Sequence, residues 1–174
     1  RDRAAGDAST ESIALRSLAT TVEAEAAVGL VEQAIELARS IGALRLELAA
    51  KQAWVDILWR VGDHDKARRE ATDLADEAGR RRLRQTVSLL ELQSAAWAAS
   101  ERAWTDVRTH RDAAAKWGAD AGALVERAVL ASLDVVLAVA SGEEASSISS
   151  IETFEQIRGG CADPTILEVI ALAA

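Results

Sequence analysis

Apolar residues recur along this chain with the spacing of amphipathic helices. In the segment 44–61 the apolar positions that share one helical face are Leu44, Leu48, Val55 and Leu58. The segment 67–78 carries charged residues along one side only, whereas the segment 121–140 is apolar nearly all round. Helices that are apolar nearly all round, alternating with helices that are charged along one side, predict two layers of stacked helices.

Glycines divide the chain at intervals of about forty residues. Gly42, Gly79, Gly118 and Gly159 are separated by 37, 39 and 41 residues, and each follows a helical segment. Glycine is the residue expected just past a helix end, because it enters the left-handed region without strain. Further helix breaks, at residues 62–63, 100–101 and 141–142, divide each of these three intervals into two helices. The spacing therefore predicts about four helical hairpins.

Capping residues indicate where several helices begin. Asp63 is placed to cap a helix after Gly62, and Ser141 with Glu144 fits a capping box. Asp163 followed by Pro164 supplies a cap and a first helical residue. The predicted helices cover residues 10–22, 25–41, 44–61, 63–78, 81–99, 101–117, 121–140, 143–158 and 164–174.

Composition supports one all-α domain over residues 1–174. About half of the chain (49%) is apolar, aromatic residues make up only 3%, and there is a single proline. A chain rich in Ala, Leu, Glu and Arg favours helices and excludes a β-sandwich or barrel. Because the chain does not begin with Met and stops within an apolar run, we expect it to be a segment of a longer protein.

Residues 53–79 resemble the tetratricopeptide repeat (TPR). The resemblance lies in a turn at Gly62, the polar stretch Asp63-His64-Asp65-Lys66 and the small residues that follow, including Ala67 and Ala71. Val55 departs from the motif, which prefers Gly or Ala there, and the repeats are longer than the usual 34 residues. Long divergent repeats rich in Ala, Arg and Trp are also similar to helical sensor regions of bacterial transcription regulators of the MalT/LuxR type and of actinobacterial antibiotic regulators.

The TPR resemblance implies a fold and a binding surface. The fold would be a right-handed α-α superhelix, or solenoid, of about four hairpins plus a ninth helix. Its concave groove would bind a peptide, a protein partner or another domain of the same chain. The residues of the second hairpin that would face this groove are Gln52, Asp56, Trp59 and Arg60.

The charge distribution disfavours nucleic acid and anionic membranes as partners. The net charge is −8, and residues 119–174 hold nine carboxylates against two arginines. Such a surface repels polyanions. The lone Cys161 allows no intrachain disulfide, and neither a signal peptide nor a membrane-spanning apolar run is visible, so we expect a cytoplasmic location.

The sequence offers no catalytic constellation, metal site or cofactor motif. His64 and His110 stand on different repeats, and neither a phosphate-binding loop nor a nucleophile elbow is present. Asp63-His64-Asp65 could suggest a metal, but capping carboxylates in a polar turn explain it better. A helical enzyme of the diphosphate-handling class is disfavoured because Asp56 and Asp134 are isolated.

Two features stand above this background. The basic residues between the second and third hairpins are Arg80, Arg81, Arg82 and Arg84. They form either a solvated turn, balanced by Asp73, Asp76 and Glu77, or a clamp for a carboxylate- or phosphate-bearing partner. The five tryptophans, Trp54, Trp59, Trp97, Trp104 and Trp117, are expected mainly to pack between layers, with one or two lining the groove.

These observations favour a non-enzymatic scaffold of TPR type that binds a protein or peptide. The alternative is a ligand-sensing region of a bacterial transcription regulator, with a pocket formed by the apolar segment 121–140 and neighbouring tryptophans. The segment 164–174 adds a dimerisation hypothesis. Its only charge is Glu168, so we expect its apolar surface to be covered by a further repeat or by a second copy of the chain.

Overall fold

The computed structural model describes residues 2–118, 124–142, 148–152 and 155–156. These residues form helices joined by short turns, and none of them is in a strand, which confirms the all-α prediction. The helices are α1 (Asp2–Ala19), α2 (Ala24–Ser40), α3 (Leu44–Arg60), α4 (His64–Arg80), α5 (Arg84–Ser100), α6 (Trp104–Gly118) and α7 (Leu124–Ser141). Residues 148–152 and 155–156 are also helical. Glu144, Cys161, Pro164 and the segment 164–174 lie outside the described residues.

Helices α2 to α7 begin and end within three residues of the predicted bounds. The prediction for the first helix was wrong, because α1 starts at Asp2 rather than at residue 10. Alanines between residues 4 and 8 favour helix, and Gly6 alone does not interrupt it. Asp63 does cap α4, since its carboxylate accepts a hydrogen bond from the Lys66 backbone N–H with a donor–acceptor distance of 3.3 Å.

The turns follow a stricter period than the glycines predict. Each helix from α3 to α7 begins twenty residues after the one before it. The residues with a positive φ just after a helix are Gly42, Gly62, Arg82, Arg102 and Gly142. The prediction that Gly79 and Gly118 each lie just past the end of a helix was wrong. Gly79 lies inside α4, and Gly118 is the last residue of α6. A glycine permits the left-handed conformation but does not impose it.

The chain divides into two compact units, Arg1–Arg81 and Arg82–Ala174. In the first unit α1 packs against α2 and α3, α2 against α3, and α3 against α4. The odd-numbered helices α1 and α3 therefore touch each other, whereas α2 and α4 pack only against odd-numbered helices of this unit. Its core cluster contains Ala19, Ala27, Val31 and Ile57, and Trp54 packs against it.

The second unit repeats this neighbour pattern. Helix α5 packs against α6 and α7, and α6 packs against α7. The buried members of its core cluster are Leu92, Ala95, Ala98, Val107, Ala114, Val129 and Leu133. The predicted apolar helix is thus α7, although Val139 near its C-terminal end remains 59% exposed.

Buried serines tie neighbouring helices together in both units. The Ser12 hydroxyl of α1 donates to the Ala34 carbonyl of α2 at 3.0 Å. The Ser88 hydroxyl of α5 donates to the Ala114 carbonyl of α6 at 3.1 Å. Across the parts of the chain that the structure describes, no helix is both long and apolar enough to traverse a bilayer.

Candidate partner-binding surface

Three of the four predicted groove residues form one stripe on α3. Gln52, Asp56 and Arg60 are spaced four residues apart and so lie along one side of the helix. Gln52 and Asp56 are half-buried, and Arg60 is exposed. The stripe runs between two buried rows of α3, which are Leu48 with Val55 and Ala50 with Ile57. We refer to Gln52, Asp56 and Arg60 as the α3 stripe.

Arg60 is anchored to the neighbouring turn. Its Nη2 donates to the carbonyl oxygen of Val22, between α1 and α2, at 2.9 Å. This bond holds the guanidinium across the α1–α2 turn while leaving its other N–H groups available to a partner, since a guanidinium carries five donors. The α3 stripe therefore combines an amide, a carboxylate and a positioned cation.

Trp59, the fourth predicted groove residue, contacts two side chains of α4. Its ring stacks on the His64 ring, with centroids 4.0 Å apart and an interplanar angle of 15°. The central guanidinium carbon of Arg68 lies 5.2 Å from the Trp59 ring centroid, which is cation–π distance. His64 is the first residue of α4, and the Asp63 cap fixes where that helix begins. We refer to Trp59, His64 and Arg68 as the tryptophan cluster.

Sequence reasoning placed His64 in a polar turn and did not connect Arg68 with Trp59. The available signal was the spacing, because His64 and Arg68 are one helical turn apart at the start of α4. Trp59 is the last residue but one of α3, and His64 is the first residue of α4. The short connection between the two helices therefore brings the Trp59 ring to this face of α4.

A ladder of charged side chains crosses α2, α3 and α4. Arg39 Nη2 lies 3.1 Å from Glu47 Oε1, and Lys51 Nζ lies 3.2 Å from that same oxygen. Lys51 Nζ also lies 3.1 Å from Glu77 Oε2, and Arg81 Nη2 lies 3.1 Å from Glu77 Oε1. Alternating signs make each step attractive, so the ladder fixes the α3–α4 pairing near one end of the hairpin.

The ladder shifts the titration of its three central groups. Partial burial alone would raise the pKa of Glu47, but hydrogen bonds from Lys51 and Arg39 outweigh it and leave the pKa below the usual value. The hydrogen bond from Lys51 is the main cause of the lowered pKa of Glu77. Burial opposes the charged form of Lys51, yet both carboxylates together raise its pKa above the usual value.

A cleft of about 160 Å³ opens between α3 and α4 beside this ladder. The residues that line it are Lys51, Trp54, Val55, Glu70, Asp73, Leu74 and Glu77. Val55 and Leu74 are buried, whereas Glu70 and Asp73 are exposed. The Lys66 ammonium lies 5.2 Å from the centroid of the Trp54 ring. Sequence reasoning did not find this cleft, because it depends on the register between two helices.

The predicted basic cluster spans the boundary between the two units. Arg80 ends α4, and Arg81, just past it, pairs with Glu77, as the balanced-turn interpretation expects. Arg82 has a φ of 57°, and Arg84 begins α5 in the second unit. Arg80 and Arg81 therefore belong to the first unit, and Arg82 and Arg84 belong to the second.

Polar side-chain pairs join neighbouring helices in the second unit. His110 Nδ1 of α6 lies 2.7 Å from Glu91 Oε2 of α5. Arg111 of α6 donates from Nε and Nη2 to the two carboxylate oxygens of Asp134 in α7, each at 2.8 Å. This forked hydrogen bond is the main cause of the raised pKa of Arg111. Within the described ranges, no group of three or more His, Cys, Asp or Glu residues is placed to hold a metal ion.

The remaining tryptophans differ in burial. Trp97 of α5 is 6% exposed and packs in the second unit, as expected of a layer-packing residue. Trp104 begins α6 and is 36% exposed, and Trp117 is half-buried near the end of the same helix.

Comparison with known proteins gives no match: no family model fits the chain, and neither a curated protein nor a solved structure is significantly similar to it. The observations that point to a function are therefore those of the α3–α4 hairpin itself. That hairpin unites the α3 stripe, the tryptophan cluster and the cleft in the first unit.

Proposed function

We propose that the chain is a non-enzymatic helical scaffold that binds a protein or peptide partner, or another domain of its own chain. The binding surface would be the α3 stripe together with Trp59. The observation that carries the proposal is the pairing of a two-signed polar stripe with a tryptophan held by two α4 side chains. No catalytic step, cofactor or metal forms part of the proposal.

The neighbour pattern of the helices supports a TPR-like architecture within each unit. Odd-numbered helices touch one another, α1 with α3 and α5 with α7, and even-numbered helices pack against odd-numbered ones. In a right-handed superhelix of helical hairpins, the first helices of successive hairpins line the concave side. A stripe on α3 would then face a groove, as the resemblance implies. The alternative function, a ligand-sensing region of a bacterial transcription regulator, and the cytoplasmic location rest on the sequence alone.

Preorganisation supports binding by this surface. Arg60 is tied to the Val22 carbonyl, and Trp59 is stacked on His64 beside Arg68. Side chains that are already ordered lose less entropy when a partner binds. Tryptophan and arginine are also the residue types that most often dominate binding energy. The surface thus offers a large rigid ring and a positioned cation at the cost of little further ordering.

The test begins by capturing a partner with the intact protein, identifying it and purifying it. Binding is then measured by calorimetry for the parent chain and for the triple variant Gln52→Ala, Asp56→Ala and Arg60→Ala. We expect a loss of roughly tenfold or more, because two of the three changes remove charged contacts. Circular dichroism verifies that the variant remains helical.

A matched control changes three exposed residues of α2, with Glu32, Gln33 and Glu36 replaced by alanine. This variant also removes polar side chains from one helix, but it leaves the α3 stripe intact, and we expect it to bind like the parent. Parent-like affinity in the α3 variant, even after Trp59→Ala is added, would contradict the proposal.

A further inference from the structure

The cleft between α3 and α4 has the size of a site for one side chain. A volume of about 160 Å³ compares with the roughly 150 Å³ cavity that admits one benzene molecule. Its floor is apolar, because it is formed by Val55 and Leu74, which are 1% and 4% exposed. Trp54 forms an aromatic wall. A long side chain with an apolar stem fits this combination better than a peptide backbone does.

The charge of the cleft favours a cation at its mouth. Three carboxylates, from Glu70, Asp73 and Glu77, line it against the single ammonium of Lys51. Lys51 and Arg81 both pair with Glu77. Glu70 and Asp73 are exposed, and neither forms an ion pair with any residue in the part of the chain that the structure describes. Two carboxylates at the rim are therefore available to an incoming positive group.

The aromatic wall already attracts a positive charge from within the chain. Lys66 Nζ of α4 lies over the Trp54 ring, 5.2 Å from its centroid. An ammonium in this position indicates a negative potential at the ring, to which the neighbouring carboxylates add. A guanidinium suits such a site better than an ammonium, because it can stack on an indole and form forked hydrogen bonds to carboxylates.

We propose that the cleft lined by Lys51, Trp54, Val55, Glu70, Asp73, Leu74 and Glu77 receives one arginine side chain from a basic segment of the partner. The arginine stem lies along Val55 and Leu74, and its guanidinium reaches Glu70 and Asp73 beside Trp54. This inference rests on the proposed partner binding, to which it adds the chemistry of the partner. A free metal ion is not the occupant we propose, because the apolar floor offers it no ligand.

The experiment uses the whole chain and the blocked tripeptide Gly-Arg-Gly, with acetyl and amide ends. NMR follows the indole N–H signals of the tryptophans, and Trp54→Phe identifies the signal of Trp54. We expect the tripeptide to shift the Trp54 signal saturably and the uncharged analogue Gly-Met-Gly to leave it unchanged. The double variant Glu70→Gln and Asp73→Asn should weaken binding by roughly fivefold, the effect of losing partly exposed ion pairs.

The matched control removes the same charge elsewhere, through Asp76→Asn and Glu32→Gln, both at exposed positions outside the cleft. We expect it to bind like the parent. Equal weakening in both double variants would show diffuse attraction to an acidic protein and would overturn the proposal. An unshifted Trp54 signal, or guanidinium chloride binding as tightly as the tripeptide, would also overturn it.

The two proposals fail separately. The cleft variant leaves Gln52, Asp56 and Arg60 unchanged, and the α3 stripe variant leaves every cleft residue unchanged. If the parent chain does not bind the tripeptide, but the stripe variant loses the partner, only the arginine site is rejected. If the parent chain binds the tripeptide at the cleft, but the stripe variant still binds the partner, only the stripe is rejected.

Discussion

Arg82 and Arg102 hold backbone conformations that residues with a side chain rarely adopt. Their φ angles are 57° and 59°, at turn positions where Gly42 and Gly62 stand in the preceding turns. A left-handed conformation strains a residue that has a Cβ, because the Cβ approaches the following carbonyl oxygen. No sequence pattern marks an arginine that adopts the left-handed conformation. The glycine spacing therefore misplaced the turn between α4 and α5, where Arg82 and not Gly79 has the positive φ.

Replacement of Arg102 by glycine should stabilise the protein. We expect the free energy of unfolding to rise by roughly 0.5–1 kcal/mol, which is the strain relieved minus the extra freedom of glycine in the unfolded chain. The backbone bond from the Arg102 N–H to the Ala99 carbonyl, at 3.0 Å, does not depend on the side chain. Urea unfolding followed by circular dichroism measures the change.

Arg108→Gly is the matched control for this substitution. Arg108 is an exposed residue inside α6, where glycine lowers helix stability by about 1 kcal/mol. The two variants make the same chemical change in opposite backbone contexts, so we expect shifts of opposite sign. A lower free energy of unfolding for Arg102→Gly would contradict the strain argument.

At the scale of helices, the sequence predicts the elements well and their lateral contacts poorly. The bounds of α2 to α7 follow from apolar periodicity, capping and breaks, because these signals are local. The position of Lys51 between Glu47 and Glu77 depends on which turns of α3 and α4 lie side by side. That register is a tertiary property, so the cleft and the charge ladder could not be found from spacing alone.

The charge ladder makes stability depend on pH in the acid range. Glu47 and Glu77 have lowered pKa values in the folded chain, so they stabilise it above their unfolded pKa near 4.3. This stabilisation is lost as the pH falls through the lower folded values. Lys51 has a raised pKa, so its contribution is complete below about pH 10.4 and is lost only on the alkaline side.

Lys51→Met should remove much of this acid dependence. Without the ammonium, the carboxylates lose a hydrogen-bond donor each, so the free energy of unfolding at pH 7 should fall by about 1 kcal/mol and change less between pH 6 and pH 3. Urea titrations across that range measure both effects. Lys116→Met, at an exposed position of α6, is the matched control and should keep the parent profile. An unchanged acid profile for Lys51→Met would contradict the role of the ladder.

At the scale of the whole molecule, charge limits the partners that the chain can take. The net charge is −8, and the cleft residues add a local excess of carboxylates. Arg80, Arg81, Arg82 and Arg84 are the one conspicuous basic run in the sequence, and Glu77 already neutralises part of it through Arg81. A partner with basic side chains therefore suits this protein better than a polyanion does.

This balance predicts that the chain does not bind double-stranded DNA at physiological salt. Binding to DNA gains its affinity from releasing counterions at several phosphates, which needs a contiguous basic surface that a net charge of −8 opposes. Fluorescence anisotropy of a labelled duplex at about 0.15 M salt, the physiological ionic strength, should stay flat as protein is added. A rise in anisotropy that disappears in the variant with Arg80, Arg82 and Arg84 changed to alanine would contradict the prediction.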